Sequence, residues 1–127
     1  MVTTKEEENK NMATNARIGL LTKSNTATFI KAAYEGYPSY TGSLLTSAFN
    51  SLKQVKELLK KGNIIMLEEN LDEVETDSLV KVTENIRFVG SESDLEGDYL
   101  ADYTYVYKET EKRWYILTDG KLVPCYL

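Results

Sequence analysis

Hydrophobic and polar positions change their period several times along the chain. From Met1 to Asn15 there is no period: MVTTKEEENKNMATN offers almost nothing to bury. Residues 1–15 therefore read as a disordered tail, and residues 16–127 as a single α+β domain. Met12 is a candidate start of the natural product, because the first patterned residue is Ala16. Ala16 to Lys23 (ARIGLLTK) and Ala27 to Ala33 (ATFIKAA) read as antiparallel strands around the polar turn Ser24-Asn25-Thr26. In the loop Tyr34 to Tyr40, Gly36 supplies freedom to adopt positive φ, and Pro38 pushes Tyr37 towards extended geometry.

The period then becomes helical. Tyr40, Leu44, Leu45, Ala48 and Phe49 lie on one helix face. A second helix starts at Ser51, which stands in capping-box spacing with Gln54, and stops at Gly62. Its buried stripe is Leu52, Val55, Leu58 and Leu59, with Lys53, Lys56, Lys60 and Lys61 towards water. Ile64 to Leu67 fits strand or helix, and the acidic stretch Glu68 to Asp77 reads as a solvated loop or frayed helix. Leu79 to Thr83 and Ile86 to Val89 are predicted strands, turned at Glu84-Asn85. Ser91 to Ala101 is polar, with one helical turn. Tyr103 to Lys108, Arg113 to Thr118 and Lys121 to Tyr126 alternate with period two, and Asp119-Gly120 suits a type I′ hairpin. The predicted architecture is α+β: a mostly antiparallel sheet, made of an N-terminal hairpin and a C-terminal three-stranded meander, with a pair of helices packed on one face.

Composition removes whole classes of chemistry. The chain has 127 residues, no histidine and one cysteine, Cys125. Imidazole-based triads and zinc sites made from Cys and His are excluded, and no internal disulfide can form. No Gly-rich phosphate loop, Walker motif or EF-hand spacing occurs. No apolar run is long enough to span a bilayer, and the polar start does not suit a signal peptide, so the expected compartment is the cytoplasm. No cofactor and no metal are expected.

Charge changes the picture more. Residues 16–66 hold seven Lys or Arg against two Glu, whereas residues 67–127 hold six against fifteen acids, within a net charge of −5. The acids gather in two base-free clusters: Glu68, Glu69, Asp72, Glu73, Glu75 and Asp77, and Glu92, Asp94, Glu96, Asp98 and Asp102. Crowded like charges cost free energy unless water or a partner screens them. The clusters read as solubilising loops, as a phosphate-mimicking surface for a basic groove, or as a Ca²⁺ site lacking the usual spacing. Nine of thirteen aromatics are Tyr. Tyr103, Tyr105 and Tyr107 share a strand face, and Tyr34, Glu35, Tyr37 and Tyr40 form a loop of functional interest. Sheet packing and a contact surface are both open readings of these rings.

The residues Ala16-Arg17-Ile18-Gly19, Gly36-Tyr37-Pro38, Tyr40, Gly42, Leu44, Leu45, Val55, Leu58, Leu59 and Gly62 resemble a group of small uncharacterised proteins. These are encoded by bacteriophages and prophages of Gram-positive bacteria. Their loop carries His and Asp where this chain has Ala33 and Glu35, so the resemblance implies a shared fold and viral origin but no activity. The expectation that follows is a non-enzymatic, phage-type accessory protein. It would bind and inhibit a bacterial defence protein, with a CRISPR effector as one candidate. Glu68, Glu69, Asp72, Glu73, Glu75 and Asp77 would stand in for phosphates, and Tyr103, Tyr105 and Tyr107 would anchor the contact. The expected partner is a host protein with a basic nucleic-acid-binding groove, rather than nucleic acid or membrane. A homodimer is expected if the Tyr face is exposed and apolar. The alternatives are a nucleotide-signal sponge with a Tyr-lined pocket met by Arg17, Lys31 and the helix lysines, and a small enzyme using Glu35 and a nearby Tyr.

Overall fold

The computed structural model describes residues 14–97 and 101–125. The predicted tail through Ala13, and Asp98 of the second acidic cluster, lie outside the described residues. The strands are β1 (Ala16–Leu21), β2 (Ala27–Ala32), β3 (Glu84–Ile86), β4 (Tyr103–Lys108), β5 (Arg113–Thr118) and β6 (Lys121–Pro124). The helices are α1 (Ser43–Ala48), entered through a π-helical turn at Pro38–Gly42, and α2 (Leu52–Lys60). One sheet holds all six strands in the order β3-β2-β1-β4-β5-β6. The α+β class and the mostly antiparallel pairing are as expected. The sheet is nevertheless mixed, because β1 and β4 pair in parallel, with Ile18 opposite Tyr105.

That parallel pairing places β1 at the centre, where both of its faces are covered. Ala16, Ile18 and Leu20 point to the helices and pack with Ile30, Leu45, Phe49, Val55, Leu58, Tyr105, Tyr107 and Trp114. The reverse face carries a smaller core of Ala27, Phe29, Leu95 and Val106. Phe29 lies across Gly19, where a Cβ would come within 2.4 Å of the ring. The Arg17 guanidinium lies over that ring, 3.9 Å from its centroid.

Local signals account for the ends of the elements. Ser51 accepts from the Gln54 amide at 3.3 Å and donates to the Gln54 side chain at 3.0 Å, so it caps α2. Gly62 follows α2 at φ +77°. Asp119 and Gly120 both take positive φ, as a type I′ turn requires. In the loop before α1 the left-handed residue is Glu35, at φ +59°. Gly36 serves close approach instead: a Cβ there would lie 2.6 Å from the Asn15 carbonyl carbon.

Residues 79–83 form no strand, and Glu84-Asn85 is not a turn. Glu84 and Asn85 lie inside β3, which pairs antiparallel with β2 and sets Glu84 opposite Phe29. Carried two residues further, this register would put Val82 opposite Lys31. The Asn63 carboxamide occupies that place. Its oxygen accepts from Lys31 N at 2.8 Å, and its nitrogen donates to the carbonyls of Val80 and Val82 at 2.9 Å each. One buried side chain thus replaces a stretch of backbone ladder.

Candidate functional site

The tyrosine side of the expected surface is absent. Tyr105 and Tyr107 are 0% and 1% exposed, because their strand face is the one the helices cover. Tyr105 donates its hydroxyl to the Gly36 carbonyl at 2.8 Å, and burial pushes its pKa well above the ordinary phenol value. Tyr107 packs edge-on against Trp114, whose indole nitrogen donates to the Phe49 carbonyl at 2.8 Å. Tyr103 is half-buried and stacked with Tyr105. Tyr105 and Tyr107 are core and Tyr103 packs against it, so they do not form the exposed Tyr face on which the expected anchors and symmetric dimer depended.

The loop Tyr34 to Tyr40 is likewise occupied with holding the fold. Tyr40 donates to the Leu67 carbonyl at 2.8 Å, and Thr41 donates to the Glu35 carbonyl at 2.6 Å. Tyr37 is hydrogen-bonded to Glu35, which is the main cause of its raised pKa. Tyr40 is raised mainly by burial, with Glu68 adding to the effect. Tyr34 alone of these is largely exposed.

Arg17 lines a small cavity of about 190 Å³ with Thr104, Glu96, Asp102 and Asp119 and no tyrosine, and its guanidinium is engaged within the fold. It is 1% exposed, and Glu84 Oε1 stands 2.9 Å from its Nε and 2.7 Å from its Nη2. The Nε contact is an aligned hydrogen bond, whereas the Nη2 contact is charge pairing without that alignment. Nη1 donates to Thr104 Oγ1 at 3.3 Å. Each of the four cavities described here is lined by at most one tyrosine, so none of these four is the expected Tyr-lined pocket.

The two acidic clusters part company. In the second, carboxylates accept from backbone amides. Asp94 takes Gly90 N and Ser91 N at 2.8 and 3.0 Å, Glu92 takes Leu122 N at 2.8 Å, and Asp102 takes Asn15 N at 3.0 Å. The Asp94 and Glu92 bonds hold the 3₁₀ turn Glu92–Glu96, whose Leu95 packs into the reverse-face core, and the Asp102 bond ties the entries of β1 and β4 together. Ser91 and Asp94 form a capping box, a spacing readable from the sequence though not used there.

The first cluster keeps its charge outside. Its backbone is tied down by Ile65 N to the Glu75 carbonyl at 2.9 Å and Asp77 N to the Asn63 carbonyl at 2.8 Å. A single 3₁₀ turn, Leu71–Glu73, projects Asp72 and Glu73 into water. Between this turn and α2 lies an open cleft of about 650 Å³, lined by Ala48, Phe49, Gln54, Glu57, Glu69, Asn70, Leu71, Asp72 and Glu73. Its charged lining is four carboxylates with no base, over an apolar floor from Phe49, Ala48 and Leu71. Of the expected residues, Glu69, Asp72 and Glu73 meet here. Glu68, Glu75 and Asp77 lie beside the cleft in the chain, and Asp77 spends one oxygen on Leu79 N at 3.0 Å. Glu57 was missed, because on the sequence it is one acid in a lysine-rich helix.

Among the described residues no group of three or more candidate ligands could hold a metal ion, and no helix is long and apolar enough to cross a membrane. Comparison of the chain with protein-family models, with curated proteins and with solved structures finds no match.

Proposed function

We propose that this protein is a non-enzymatic binder that blocks a basic surface on another protein through the acidic cleft between α2 and the Leu71–Glu73 turn. The observation that carries the reading is the lining itself: Glu57, Glu69, Asp72 and Glu73 converge on one cleft with no basic residue among them. Four carboxylates held together raise the local negative potential and attract cations at long range. Exposed charges of this kind contribute little to folding, so the cleft can serve a partner without cost to the fold. The apolar floor allows the stem of a lysine or arginine to lie down while its head meets the carboxylates. A bidentate guanidinium–carboxylate pair is the strongest single contact such a cleft offers.

The resemblance to phage-encoded proteins supports a bacterial defence protein as the target, with a nucleic-acid-binding effector of CRISPR type as one candidate. Such effectors hold nucleic acid in basic grooves, which carboxylates at phosphate-like positions can occupy. The tyrosines take no part, and contact specificity rests on the cleft. The test is a phage plating assay in a bacterium with an active defence system of this type. Expression of the protein should restore plating of a targeted phage, and the triple variant Glu69→Gln, Asp72→Asn, Glu73→Gln should not. Equal restoration by both proteins would remove the cleft from the account, and restoration by neither across several such systems would remove the inhibitor reading.

A further inference from the structure

The two edges of the sheet are protected unequally. At one edge β6 carries Lys121 and ends at Pro124, both of which discourage further strand pairing. At the other edge stand β3 and the extended arm that leads into it, Leu79-Val80-Lys81-Val82-Thr83. Here Leu79, Val82 and Phe88 are 92%, 81% and 84% exposed. An exposed apolar edge is a template for another chain.

Asn63 explains how the arm is presented. The two carbonyls it receives belong to Val80 and Val82, two residues apart, as in extended chain. The peptide groups of Lys81 and Thr83 consequently face away from the sheet. Among the described residues neither makes a backbone hydrogen bond. The arm is held in strand geometry on its inner side and left open on its outer side.

Charge selects the occupant. Lys81 and Arg87 are exposed along this edge, and Glu84 is committed to Arg17. The edge is therefore basic on a chain of net charge −5. Two copies paired through it would bring Lys81 and Arg87 of each against like charge, which disfavours self-association. We infer that the 79–86 edge is a docking site for an extended peptide of a partner protein with alternating apolar and acidic side chains, added as an antiparallel or parallel strand. Outward peptide groups of Lys81 and Thr83 would hold its backbone, Val80 and Val82 would receive its apolar side chains on one face, and Lys81 and Arg87 would meet its acids on the other. This edge is separate from the acidic cleft and opposite to it in charge.

The probe is a fluorescein-labelled octapeptide alternating valine and glutamate, followed by anisotropy against the full chain. Saturable binding is expected, with no binding of the matching valine–lysine octapeptide. Lys81→Pro removes an outward N–H while leaving the Val80 and Val82 carbonyls on Asn63, and should weaken binding at least about tenfold at an unchanged melting temperature. Lys81→Gln, which keeps the N–H, should weaken it by about threefold and flatten its salt dependence. Equal binding of both octapeptides, or Lys81→Pro binding as well as the parent, would overturn the inference. So would the absence of peptide binding, including the case in which sedimentation shows a dimer that Lys81→Pro dissociates, since the occupant would then be a second copy. The Glu69, Asp72, Glu73 triple variant should bind the octapeptide normally, which keeps this result independent of the cleft.

Discussion

At the scale of single residues, the reverse face of the sheet depends on one charge pair and one missing side chain. Arg17 is buried with Glu84 as its counter-ion. Removing one partner of a buried pair leaves an uncompensated charge, at a cost of about 3–5 kcal/mol where the site is fully enclosed. Glu84 keeps some access to water, so Glu84→Gln should destabilise by less than that, about 2–3 kcal/mol in urea unfolding. Gly19 is set by Phe29: a methyl there must displace the ring or the strand, and Gly19→Ala should cost about 1–3 kcal/mol. Phe29→Leu in the same chain should recover part of that loss, and a double-mutant cycle measures the coupling. Tyr105 sets an alkaline limit. Its folded-state pKa is raised by burial, so above pH ~10 the unfolded chain loses this proton while the folded one retains it. The unfolded state then binds fewer protons, and stability should fall as pH rises past about 10. Tyr105→Phe forfeits the bond to Gly36 and should show a weaker fall over the same range.

The elements show which parts of the fold were readable and why. Helix α2, its Ser51 cap and Gly62 stop, the first hairpin and the Asp119-Gly120 turn rest on neighbours within a few residues. Such local signals can be read directly. The pairing of β1 with β4 joins residues 16–21 to 103–108, and no local pattern specifies it. Without that pairing, period-two alternation says that Tyr103, Tyr105 and Tyr107 share a face but not that helices cover it. The β-rich residues Leu79 to Thr83 misled for a related reason. Their propensity is real, but their ladder place is taken by the side chain of Asn63, a residue lying 17 positions before Val80. Asn63→Ala should leave the Lys31 amide without its acceptor and free the arm. The expected loss is about 2–3 kcal/mol, accompanied by faster hydrogen exchange at the Lys31 amide. If exchange there stays slow, backbone ladder has replaced the carboxamide.

At the scale of the whole molecule, acidity has two uses that composition cannot separate. Glu92 and Asp94 accept backbone amides and hold the reverse-face cover, and Asp102 accepts the Asn15 amide beside β1. Glu57, Glu69, Asp72 and Glu73 line a cleft and remain exposed. Only the carboxylate-to-amide bonds of the folded chain distinguish them. The candidate site was therefore half legible: its acids stood out in the sequence, whereas Glu57 from α2 and Ala48 and Phe49 from the end of α1 are brought in by packing. The central claim, that the cleft binds a basic partner, is tested most directly by affinity capture from bacterial lysate with the parent protein and the Glu69→Gln, Asp72→Asn, Glu73→Gln variant side by side. The account predicts a stoichiometric partner held by the parent at low ionic strength, released as salt is raised, and lost by the variant at unchanged fold. A partner that both proteins retain equally, or that salt does not release, would contradict it.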